Sequence, residues 1–161
     1  MKYPITSNAP DVKSPSEIYS EYQYPFEWRR YDCLSLIEAM AEEYLPSYTP
    51  IYSRWHQLTE PEAYRTAYKE YGSLLQCHRQ HLLPAGLIEA SLPLIPGDLV
   101  VADTTTTLPD GSTWDGRHGR ELLLFVDDSY RLWYWALSGM VYAKLERDPT
   151  TVFRFPALVR K

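Results

Sequence analysis

The chain has 161 residues, 45% of them hydrophobic, which is enough for one buried core in a single domain. A formal net charge of -5 with no block of lysine or arginine argues against a large nucleic-acid surface. No run approaches the roughly 18 apolar residues of a membrane span, and two cysteines are too few for a disulfide framework.

Residues 1–13 are polar, carry two prolines and lack periodicity, so they are expected as an arm that orders only where it docks. They contain no apolar stretch of the export-signal kind, so no export address is expected. Residues 14–161 are expected as one domain. Ser14-Pro15-Ser16-Glu17 has the spacing of a capping box with proline at the first helical position, and the helix must end before Pro25.

The clearest element follows. Cys33, Leu36, Ile37, Met40, Ala41 and Tyr44 fall on one helical stripe with Asp32 as its N-cap and Pro46 as its stop, while Glu38, Glu42 and Glu43 lie off the stripe. Residues 46–58 read as a proline-bearing loop with Trp55 and His56. Thr59-Glu60-Pro61-Glu62 repeats the capping-box spacing and opens one long helix that runs to about Leu82. The second half changes character. Pro96-Gly97 turns into a strand over 98–102, a long loop spans 103–120, and strands are expected over 121–126, 130–135, 140–145 and 151–155. Helices first and an antiparallel meander second make an α+β arrangement.

Cys33 raises the chemical question. A thiol in the first turn of a helix lies where free N–H groups and the helix dipole favour the thiolate. Its place in an apolar stripe is equally what a packing cysteine shows. Both thiols are expected free in a reducing compartment, with a Cys33–Cys77 bridge as the alternative. Cys77-His78-x-x-His81 puts two ligand types four apart on a helix, but no second cluster completes a metal site, and the histidines suit a helix end. Asp98, Asp103, Asp127 and Asp128 read as turn and edge chemistry. No Walker or dinucleotide fingerprint occurs, so neither metal nor cofactor is expected. Fourteen tyrosines and five tryptophans combine apolar area with polar tips, which suits an interface as well as a core.

Tyr31-Asp32-Cys33-Leu34-Ser35-Leu36-Ile37, preceded by Phe26 and Trp28, resembles the nucleophile segment of the NlpC-type cell-wall cysteine peptidases, a branch of the papain-like fold. The resemblance continues in order through Pro96-Gly97-Asp98-Leu99-Val100, then 121–126 with Asp127-Asp128, then 130–136 and Ser138-Gly139-Met140-Val141. It implies N-terminal helices packed on a C-terminal antiparallel sheet, with Cys33 as nucleophile and Asp32 as its helix cap. At the family's histidine position this chain has Glu121, and a carboxylate there raises a thiol's pKa. The nearest substitute base is His118, in Gly116-Arg117-His118-Gly119, reached through a bulge or loop; His56 is a weaker candidate. Leu34-Ser35 stands where the family has Ser-Gly, crowding the oxyanion position.

Degenerate NlpC-like domains of this size are common in phage and prophage tail operons. The resemblance therefore implies a structural or adaptor protein of the phage tail tip with an impaired catalytic site. Its partners would be other tail-tip or hub proteins, and its place the virion tail, assembled in the host bacterial cytoplasm. The alternative is an active cysteine endopeptidase that cuts peptidoglycan stem peptides during genome entry.

Overall fold

The computed structural model describes residues 12–102, 106–107, 113–114, 122–136, 138–145 and 151–159. Within them the first half is helical and the second half forms an antiparallel sheet, so the α+β class holds. Helix α1, Pro15–Ser20, starts on a complete capping box: Ser14 Oγ accepts the Glu17 N–H at 3.2 Å, and the Glu17 carboxylate accepts the Ser14 N–H at 2.7 Å. Ser16 and Asp128 exchange two further bonds, tying this helix to a distant turn.

Helix α2 is Cys33–Tyr44, and Asp32 Oδ1 caps it by accepting the Ser35 N–H at 2.7 Å. Its stripe is buried at Leu36, Ile37, Met40, Ala41 and Tyr44. Burying the larger of these side chains stabilises the fold by about 1.5–3 kcal/mol each, so α2 is held by packing more than by propensity.

The expected loop at 46–58 contains a short helix, α3, Ser53–His56. The single long helix expected after Thr59 is two: α4, Glu60–Tyr71, and α5, Leu74–Ala85. Gly72 sits in the left-handed region at φ 83° and closes α4, and Ser73 Oγ then caps α5 by accepting the Gln76 N–H at 3.1 Å. The apolar periodicity continues across this break, which is why it reads as one helix in the sequence. Glycine followed by serine was the local signal for the stop and restart.

The strands are β1, Ile88–Ala90; β2, Leu99–Ala102; β3, Thr106–Thr107; β4, Thr113–Trp114; β5, Leu122–Val126; β6, Leu132–Ala136; β7, Gly139–Leu145; and β8, Thr151–Arg154. They are ordered β1-β8-β2-β5-β6-β7-β3-β4 with every neighbouring pair antiparallel. The meander expected from the sequence survives only as β2-β5-β6-β7. The last strand returns to the far side of β2 and lies between it and β1. The physical reason lies in its side chains: Val152 and Phe153 point to opposite faces and are both buried, which a strand gains inside a sheet and not at its rim.

Two apolar clusters flank the sheet. Leu99, Val101, Leu123, Phe125, Trp135 and Phe153 meet the helices, and Cys33 packs at the margin of this cluster. Val100, Ala102, Leu124, Val126, Tyr134 and Val152 form the second, on the opposite face. Strands β2 and β5 are therefore buried on both sides, and their unbroken apolar runs follow from that.

Candidate functional site

The start of α2 is built around Asp32, which is 1% exposed. Besides capping the helix, its carboxylate accepts the Arg29 N–H at 2.6 Å and faces His56 Nε2 at 3.0 Å. Arg29 has a φ of 77°, a costly conformation for a residue with a side chain, and this turn aims its N–H at Asp32. The Arg29 guanidinium binds the carbonyls of His56 and Leu58, and Trp28 Nε1 donates to Leu58 O at 2.9 Å. The segment before α2 and the segment after α3 are thus fastened together around one buried carboxylate. Burial opposes ionisation of Asp32, but His56 and the two N–H groups outweigh it and hold the carboxyl below its usual range.

Cys33 is half-buried at this helix start. Its thiol is pushed up to about 12, chiefly by burial, then by the negative charges of Asp32 and Glu60. Of the two readings left open by its position, this favours the packing cysteine. The helix N-terminus favours a thiolate, but that effect falls off within a turn and is weaker than desolvation beside a buried carboxylate. A thiol with its pKa raised that far stays protonated at neutral pH. Among the described residues, no hydrogen bond joins the sulfur to an imidazole.

The sequence-derived partners sort as follows. Asp32 is the helix cap, as expected. His118 and Glu121 lie outside the described residues, as does Asp103. His56 does approach the site, yet its Nε2 is directed to Asp32. A histidine in that bond orders the loop around the cap, which is a different task from activating sulfur.

Several contacts were not read from the sequence. Glu38, placed off the apolar stripe, accepts the Tyr48 hydroxyl at 2.6 Å and the N–H groups of Ile51 and Tyr52, pinning the loop before α3 to α2. On α5, His81 Nδ1 donates to Cys77 O at 2.7 Å and its Nε2 accepts Trp55 Nε1–H at 2.9 Å. His78 Nδ1 bonds the Tyr52 hydroxyl at 2.8 Å. Cys77 is a free thiol, like Cys33, and its own pKa is pushed up to about 12 by burial first. The histidines expected at a helix end instead face α3. Among the described residues, no group of three or more His, Cys, Asp or Glu side chains is arranged to hold a metal.

Asp98 and Asp127, read as turn residues, are also buried. Asp98 takes Arg154 bidentately at 2.8 and 2.7 Å, and Asp127 accepts Trp133 Nε1–H at 2.8 Å together with the N–H groups of Ser129 and Arg131. Arg154, the lone charge in an apolar last strand, was the sequence signal for a buried partner.

Among the described residues no helix is long and apolar enough to cross a membrane. No family model matches the chain, and no curated protein or solved structure matches it.

Proposed function

We propose that this chain is a structural or adaptor subunit of a phage tail tip, built on an NlpC-type papain-like frame whose cysteine does not perform acyl transfer. The observation that carries the second part is that His56, the described histidine at this helix start, turns its Nε2 to Asp32 rather than to sulfur, while burial and the Asp32 charge push the Cys33 thiol up. A nucleophilic cysteine needs a base or a lowered pKa, and this one has neither among the described residues. Support for the setting is the ordered motif resemblance from the Tyr31-Asp32-Cys33 segment to Ser138-Gly139-Met140-Val141. In that setting the subunit assembles in the host cytoplasm against other tail-tip or hub proteins, and the exposed Tyr24, Tyr130 and Tyr142 are available for contact.

The competing reading is a cysteine endopeptidase acting on peptidoglycan stem peptides. Its support is Cys33 in the first turn of α2. Alkylation of the folded protein by iodoacetamide near neutral pH separates the two. A non-catalytic site predicts slow labelling of Cys33, comparable to that of Cys77, with no cleavage of purified cross-linked muropeptides. Rapid, selective labelling of Cys33 together with muropeptide cleavage abolished by Cys33→Ala would establish the peptidase instead.

A further inference from the structure

Three of the chain's four histidines hold one short segment, residues 48–58, from two sides. On one side it is fixed to α5 by Tyr52 bonded to His78 and by Trp55 bonded to His81, with the Tyr52 and His81 rings stacked at 5.3 Å. On the other it is fixed to α2 by Glu38, through the Ile51 and Tyr52 N–H groups, and by His56 on Asp32.

A proton acts oppositely on the two sides. His81 is held as the Nδ1–H tautomer, because Nδ1 faces a carbonyl and Nε2 accepts from an indole N–H that can only donate. A proton on Nε2 would set two donors face to face and break the Trp55 bond. His78 is buried, and charging it there strands a cation against Tyr52 and the neighbouring His81. A proton on His56, by contrast, turns its bond to the ionised Asp32 into an ion pair. Other titratable groups around the α5 side are Tyr52 and Arg54 from the segment, Glu38 and Cys33 on α2, Glu70 and Tyr71 on α4, and Cys77 on α5. The Glu70 carboxylate is the one that would favour a charged His81, and it is already engaged by Arg54.

We infer that residues 48–58 form an acid-released strap: protonation of His78 and His81 frees its α5 side while the Asp32–His56 bond keeps its α2 side fastened. This goes beyond the proposed function and does not depend on it. Release would uncover Trp55, Tyr52 and the Cys77 thiol, now buried, and would offer an aromatic surface only in acid.

Cys77 supplies the readout, since its sulfur lies 3.9 Å from His81 Nδ1 beneath the strap. Its reaction with 4,4′-dithiodipyridine, which forms a mixed disulfide with thiols in acid as well as at neutral pH, is followed on the full chain. The rate is expressed relative to the urea-unfolded chain at each pH. Where both histidines take up a proton, exposure is expected to rise by up to about a hundredfold per pH unit below the ordinary histidine range, with far-UV circular dichroism retained. The H78Q/H81Q double variant should show a flat profile. The single His81→Gln variant, whose amide oxygen accepts the Trp55 bond without titrating, should show a shallower one and serves if the double variant does not fold. Protection of Cys77 that persists in acid, an unchanged profile in His81→Gln, or exposure that tracks loss of circular dichroism would each overturn the strap.

Discussion

Asp98 in the sheet and Asp32 at the start of α2 are both buried carboxylates that receive three donors from different parts of the chain. Asp98 takes the Ile95 N–H and both arms of Arg154, while Asp32 takes the N–H groups of Arg29 and Ser35 and the imidazole of His56. The difference is the charged partner. Arginine carries its charge at every accessible pH and matches a carboxylate with two parallel bonds, whereas histidine gains or loses its charge near neutrality. The helical end, where His56, His78 and His81 sit, is therefore where a proton added just below neutrality acts first.

Removing the fixed partner should have the largest effect. Asp98→Ala leaves Arg154, only 13% exposed, without its carboxylate, and urea unfolding should show a loss of about 3–5 kcal/mol. A loss under about 1 kcal/mol would mean that water reaches Arg154 and that the contrast between the two ends is weaker than drawn.

Acid should come next, and first through the helical end. Burial pushes the His78 pKa down to about 4, below its unfolded value near 6.5. The unfolded chain then binds the proton first as pH falls, so stability is complete above about 6.5 and declines toward about 4, by on the order of 3 kcal/mol. Urea midpoints measured across that window should fall in the wild type and fall less steeply in His78→Gln. Equal slopes in the two would assign the acid sensitivity to another group.

A smaller effect is expected at Asp32. Asn keeps a capping oxygen but removes the charge, so Asp32→Asn should cost about 1 kcal/mol through weakened bonds to His56 and Arg29. The same change removes the second-largest cause of the raised Cys33 pKa, and the midpoint of Cys33 alkylation against pH should move down. An unmoved midpoint would leave burial and Glu60 as the causes. The exposed Lys13–Glu21 pair should matter least: Lys13→Ala should leave the urea midpoint unchanged within error, since solvent screens a pair with both side chains at least half exposed.

Local chemistry made much of the helical half legible. Two capping boxes and the Asp32 cap lie within four residues of what they bond, so sequence spacing shows them directly. The break at Gly72-Ser73 was legible too, but the apolar stripe running through it outweighed that signal. At the site, Asp32 as the cap and Cys33 in the first turn of α2 were legible in the sequence, and the balance that raises the thiol's pKa was not. That balance depends on how deeply the sulfur is buried and on Glu60, 27 positions later in the chain.

What the sequence by itself determined is what short-range rules control: the starts of α1, α2 and α4, the apolar face of α2, and the cores of strands β2, β5, β6 and β7. Tertiary structure alone decided which distant groups meet. It set β8 beside β2, gave Arg154 to Asp98, turned His56 toward Asp32, and laid Trp55 and Tyr52 on the histidines of α5. The physical reason is that caps and periodicity act over one or two turns of chain, while a buried polar group takes whichever partner the packed core brings within about 3 Å.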